Sequence, residues 1–195
     1  MLLGFLTVLV MLMVAYAFWR QGVLPAFAMA VNVLLAGLVA FNFFEPIAAE
    51  LDPMLAGSFL HGYEDSLCLM VLFCLTLLFL RWAANALIHS TIEYHAVVQQ
   101  GGAVLFGLFA GYLVAGFLIC VAQTLPLGQH FMKFEARIDP STPGAKLRRV
   151  MPPDRVWLAL MHRASQGSLS WGDDSSFDPD GSYELRYSLE RRVPE

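Results

Sequence analysis

Four long apolar stretches, separated by short polar segments, occupy about the first two thirds of the chain. They lie within residues 1–19, 21–44 and 94–132, which contain no Asp, Glu, Lys or Arg, and within residues 66–88, which contain Arg81 as their one such residue. A membrane-spanning helix needs about 20 apolar residues, because unpaired backbone groups cannot be hydrated in the hydrocarbon core. The pattern therefore predicts an all-α membrane protein with four transmembrane helices, the fourth centred on the apolar run from Gly102 to Leu125.

Aromatic and cationic residues occur together near the ends of two predicted helices. Trp19 and Arg20 close the first helix, and Arg81 and Trp82 stand near the end of the third. Tryptophan is enriched at the membrane surface, and a long arginine side chain near a helix end reaches the head groups. Two crossings separate the pairs, so all four residues are predicted to be interface anchors on the same side.

The distribution of charge predicts an orientation. The loop predicted over residues 45–65 contains five carboxylates and no Lys or Arg, whereas the opposite side has Arg20 and Arg81. The positive-inside rule then places both arginines in the cytoplasm and both termini outside. Lys133 and Arg137 follow the fourth helix and favour the reverse, so the prediction depends on the early helices.

Small residues recur every four positions on two predicted helices. They are Ala28, Asn32, Ala36 and Ala40 on the second, and Ala103, Gly107, Gly111 and Ala115 on the fourth. Small side chains let helix backbones approach closely in lipid, so these two faces are predicted to pack together. Asn32 lies near the middle of its helix, where an interhelical hydrogen bond is expected; a polar step in a permeation path is the alternative.

Composition supports a membrane protein and excludes one class of partner. The chain is 57% hydrophobic and 14% charged, with a net charge of −4. A nucleic-acid binder needs a net basic surface that displaces counterions, and this composition does not provide one. The lipid bilayer is the predicted environment.

The last 70 residues are polar and are predicted to form a linker (126–153) and a small tail (154–195). Within the tail, Trp157, Leu160, Met161 and Ala164 fall on one side of a short amphipathic helix over residues 155–165. An alternating pattern that begins at Tyr183 predicts one possible strand. These two elements cannot bury an independent core, so the tail is expected to dock on the bundle, the lipid surface or a partner.

Candidate groups for catalysis or metal binding are few. His89 and Glu93 are four residues apart with His95 nearby, and His61 precedes Glu64, but neither set has a zinc-enzyme signature or a cysteine partner. The acidic run of residues 173–184 lacks the ligand order of a calcium loop, so a solvated turn is the better interpretation. No catalytic residue, metal site or cofactor is therefore predicted.

Three features of residues 1–125 occur together in one order. They are the four apolar helices, Arg20-x-Gly22 after the first, and Ala103-x3-Gly107-x3-Gly111 at the start of the fourth. In this combination they resemble the colicin V production protein (CvpA) family of bacterial inner-membrane proteins. The resemblance implies a multi-pass protein linked to colicin V production or export.

Two functional hypotheses follow. The first is a scaffold or assembly factor for secretion or envelope processes, because the spans contain packing residues and little else. Such a protein would bind a membrane-protein partner or further copies of itself. The alternative is a small transporter or channel component, which needs paired polar groups at mid-membrane.

Overall fold

A computed structural model of the chain describes residues 2–55, 62–87, 96–125 and 152–165, together with Tyr183. Within these residues the protein is all-helical, as predicted. The five helices are α1 (Leu2–Trp19), α2 (Val23–Leu55), α3 (Glu64–Leu87), α4 (Ala96–Thr124) and α5 (Pro153–Ser165).

Three of the helices are long and apolar enough to cross a bilayer. Their apolar segments are Val23–Pro53, Glu64–Ala86 and Val97–Thr124. The apolar part of α1, Gly4–Trp19, is shorter. Length and composition therefore support three of the four predicted crossings directly.

Helix α2 extends well beyond the predicted end at residue 44. The segment 45–65 was expected to be a loop, yet α2 continues through Pro46 and Pro53. A proline inside a helix removes one hydrogen bond and crowds the preceding turn. Phe44 and Ala48, one turn apart on either side of Pro46, are both buried in the main apolar cluster, a set of side chains from several helices that includes Phe73, Phe117 and Trp157. This burial offsets the local free-energy cost of the proline. The predicted end of the helix at residue 44 is therefore corrected to Leu55.

The four long helices form an open row in the order α1, α4, α2, α3. Helix α4 packs along α1 on one side and α2 on the other, and α3 packs along the remaining side of α2. Helices α1 and α2 make few contacts although a tight turn joins them. The amides of Gln21 and Gly22 donate hydrogen bonds to the carbonyl of Phe18 at 3.0 and 3.1 Å, and Gly22 has a φ of +97°. Glycine suits this left-handed helix cap because it has no Cβ.

The main apolar cluster lies where α2, α3 and α4 meet, and α5 is part of it. The rings of Phe73 and Phe117 stack at 3.7 Å, and Trp157 from α5 meets Phe117 edge-on at 5.9 Å. The tail was expected to dock on the bundle, the lipid surface or a partner. Its helix α5 docks on the bundle. Trp157 and Met161 are buried, whereas Leu160 from the same predicted side is 36% exposed.

The predicted strand is not confirmed at its first residue. Tyr183 is fully buried in the main apolar cluster, its backbone is helical, and its hydroxyl donates to the carbonyl of Cys120 at 3.5 Å. The other positions of the alternating pattern, residues 184–190, lie outside the described residues.

Candidate functional site

The two glycines of α4 predicted to pack on α2 instead contact α1. A Cβ atom at Gly107 would lie 2.8 Å from the Cα of Ala15, and one at Gly111 would lie 2.6 Å from the Cα of Met11. These distances are shorter than non-bonded carbons allow, so the backbones of α1 and α4 touch here. Helix α2 does pack on α4, but the partner of this glycine pair is corrected to α1.

The other small residues of the two faces lie at several interfaces. Ala103 is fully buried with Phe18 and Ala26, where α1, α2 and α4 come together. Ala36 and Ala40 are fully buried in the main apolar cluster. Ala115 is also buried, Asn32 is 9% exposed, and Ala28 is half-buried.

Two glycines outside the predicted faces form the seat of α5. The indole of Trp157 lies on Gly37 of α2, and the carbonyl of Pro153 lies on Gly116 of α4. Any side chain at either glycine would occupy the space that α5 fills. The sequence signal for these contacts was weak, because a glycine in an apolar helix does not indicate what covers it.

Polar side chains join the ends of α3, α4 and α5 at the end of the bundle opposite the α1–α2 turn. The amide of Gln123 donates to the carboxylate of Asp154 at 3.2 Å. The hydroxyls of Thr124 and Ser66 share a buried hydrogen bond of 3.0 Å. Asp154 lies in the first turn of α5, where the positive end of the helix dipole stabilises a carboxylate. These contacts attach α5 and α3 to α4 and suit a structural role.

The predicted anchor Arg81 reaches across the bundle to α1 and α2. Its guanidinium lies 5.6 Å from the ring centroid of Phe18, and Nη1 lies 3.9 Å from the sulfur of Met29. Phe18 directly precedes the other predicted pair of anchors, so Arg81 lies at the same end of the bundle as Trp19 and Arg20. We call this the arginine end.

The aromatic anchors at the arginine end face outwards. Trp19 is 48% exposed and Trp82 is 69% exposed, and Arg20 is exposed as well. Arg81 is half-buried, so it contacts protein as well as the surroundings. Their placement relative to a bilayer surface stays a prediction.

Of the candidate metal ligands considered from the sequence, the structure describes Glu64. His61, His89, Glu93, His95 and the acidic residues of the run 173–184 lie outside the described residues. Within the described ranges, no group of three or more His, Cys, Asp or Glu side chains could hold a metal ion. Cys68, Cys74 and Cys120, all within the described residues, are not joined by disulfides.

Comparison with known proteins gives one family. The family model described as Colicin V production protein matches residues 3–138. This range contains nearly all of α1 and the whole of α2, α3 and α4, so the resemblance drawn from the sequence is confirmed. No curated protein matches the chain, and no solved structure matches it.

Proposed function

We propose that this chain, which belongs to the colicin V production protein family, is a multi-pass scaffold or assembly factor in the bacterial inner membrane. In this proposal it supports secretion or envelope processes by binding other membrane proteins or further copies of itself. The observation that carries the proposal is the open row of helices, because a row leaves helix faces at its two edges for additional helices.

Helix α3 is one of the two edges of the row and exposes an apolar face to a partner. In an apolar segment of 18 residues within α3, 17% of the residues are buried, compared with 56% in a segment of the same length within α4. Its exposed apolar side chains are Val71, Leu75, Leu78, Phe79 and Trp82. In a bilayer these side chains contact lipid or another helix, and helix association there depends on close packing rather than on the hydrophobic effect.

The interior of the row favours a scaffold over a transporter. Among the described side chains, the buried polar ones other than Asn32 are Glu64, Ser66, Gln123 and Thr124, all at the end opposite the arginine end. A transport path needs paired polar groups near mid-membrane, which leaves Asn32 as the candidate there. Aromatic rings fill the centre, which suits binding and assembly rather than passage of a substrate.

We propose four crossings, with α1 as the fourth span. Helix α1 has 18 residues and extends about 27 Å at 1.5 Å per residue. It runs antiparallel to α4, because Ala15 meets Gly107 while Met11 meets Gly111. A helix packed in this way on a spanning helix lies at the same depth in the bilayer.

Four crossings place both termini on one side of the membrane. The arginine end is proposed to face the cytoplasm, with both termini outside. A fusion of alkaline phosphatase after residue 195 tests this orientation, because that enzyme is active only where disulfides form. An inactive but stably expressed fusion would reverse the orientation.

Site-specific photo-crosslinking tests the scaffold. A photoreactive residue replaces Leu75 or Leu78 on the exposed face of α3, and Phe73, which is buried, serves as the matched control. We expect adducts with a membrane protein from the exposed positions and not from the control. Two results together would favour the transporter: adducts with lipid alone, and failure of Asn32→Leu to restore the phenotype of a strain that lacks this protein.

A further inference from the structure

A cavity of about 620 Å³ opens at the arginine end, between the last turn of α1 and the first turn of α4. It is lined by Tyr16, Trp19, Arg20, Gly22, Gln99 and Gln100. The volume falls within the range of about 300–1,000 Å³ that is typical of small-molecule sites. The cavity has side-chain walls from two different helices that pack on each other.

The turn between α1 and α2 helps to shape this cavity. A Cβ atom at Gly22 would lie 3.1 Å from Nε2 of Gln99, so the absence of a side chain lets Gln99 approach the turn. The positive φ of Gly22 also disfavours any other residue there. The geometry that holds Gln99 beside the end of α1 therefore depends on this glycine.

The lining is rich in hydrogen-bond donors and contains one positive charge. Arg20 contributes the N–H groups of a guanidinium, Gln99 and Gln100 contribute amides, and Tyr16 and Trp19 contribute a hydroxyl and an indole N–H. The described lining residues include no carboxylate. Arginine binds phosphate through paired hydrogen bonds, and the positive end of the α4 dipole adds to the attraction for an anion.

We propose that this cavity binds a phosphate group, carried by the head group of an anionic phospholipid. The neighbouring surface suits acyl chains, because Leu12 and Met13 on α1 are 56% and 60% exposed and lie about one turn from Tyr16. On α4, Leu105 and Phe109 are exposed too. A lipid with its phosphate on Arg20 can therefore place its chains along apolar helix faces. The site does not depend on the proposed scaffold function.

Native mass spectrometry of the full-length protein in mild detergent tests the site. The probes are phosphatidylglycerol and phosphatidylcholine, added separately at equal concentration. We expect the wild type to retain phosphatidylglycerol preferentially, and Arg20→Gln to reduce that retention about tenfold, as for the loss of one charge-assisted hydrogen bond. Arg155→Gln is the matched control, because Arg155 is exposed on α5, away from this cavity.

Two results would overturn the site, and a third arm identifies the source of the phosphate. The proposed site would be rejected if the wild type and Arg20→Gln retained phosphatidylglycerol equally. It would also be rejected if Arg20→Gln and Arg155→Gln lost phosphatidylglycerol to the same extent. Thermal unfolding of each variant checks that the fold is intact, and Gln100→Leu provides a second variant expected to weaken retention. Binding of inorganic phosphate without a preference for phosphatidylglycerol would reject the lipid as the carrier.

Discussion

The indole ring of Trp157 lies directly on Gly37, which joins a helix of the polar tail to the middle of α2, a helix long and apolar enough to cross a membrane. Trp157 is fully buried, and its ring centroid lies 6.2 Å from that of Phe41 and 6.5 Å from that of Phe73. Since α2 and α3 supply these two phenylalanines, α5 forms part of the same core. The bundle and the beginning of the tail are thus packed as one unit.

Gly37→Ala is expected to destabilise the protein by about 1–3 kcal/mol, because the new methyl group overlaps the indole ring of Trp157. Gly4→Ala is the matched control, since no atom of the described residues lies within 4 Å of a Cβ at that position. Thermal unfolding in detergent compares the two variants. If both variants unfolded at the wild-type temperature, the contact between α5 and α2 would be discarded.

Replacing Trp157 separates the volume of the indole from its N–H group. Trp157→Ala is expected to cost about 3–5 kcal/mol, as for a large aromatic side chain in a core. Nε1 is buried and has no hydrogen-bond partner among the described residues, so Trp157→Phe should cost clearly less. Trypsin cleavage after the exposed Arg155 and Arg163 reports the release of α5. Equal cleavage of the Ala and Phe variants would contradict this account.

Gly107→Ala is expected to separate α1 from α4 and to lower stability by about 1–3 kcal/mol, because its Cβ would meet the backbone of Ala15. Gly101→Ala on the same helix is the control, since in the part of the chain that the structure describes a Cβ there meets no atom within 4 Å. The helix propensity of alanine favours both changes equally, so the difference between them measures the contact. Identical unfolding temperatures would show that the close approach contributes nothing to stability.

The hydrogen bond between Ser66 and Thr124 is expected to contribute about 1 kcal/mol to the link between α3 and α4. A double-mutant cycle with Ser66→Ala and Thr124→Val measures it, because each single change leaves one buried hydroxyl without this partner. The double variant should therefore be more stable than the sum of the single losses indicates. Additive losses would mean that the two hydroxyls are not energetically coupled.

The positions of most helices could be predicted from the sequence. Residues 1–19 and 66–88 were assigned to helices that the structure places at Leu2–Trp19 and Glu64–Leu87. A long apolar run in a membrane has few alternatives, since the backbone must satisfy its own hydrogen bonds. The short helix expected at 155–165 was also found, because its apolar residues repeat at helical spacing.

The end of α2 could not be predicted in the same way. The predicted helix ends at residue 44 because the charged Glu45 follows, and Pro46 is a further local signal for a helix end. The helix continues because Phe44 and Ala48 are buried against residues far along the chain. Only the tertiary packing determines whether such burial outweighs the proline.

For the candidate site, too, the sequence determined some features and the tertiary structure decided others. The sequence by itself determined that Gly107 and Gly111 need a close neighbour, and that Arg20 and Arg81 belong at one end of the bundle. The tertiary structure decided that α1 is that neighbour, that Gly37 and Gly116 accept α5, and that Gln99 joins Arg20 around one cavity. The physical reason is that all the spans are similarly apolar, so the choice of partner depends on how complete helix surfaces fit together.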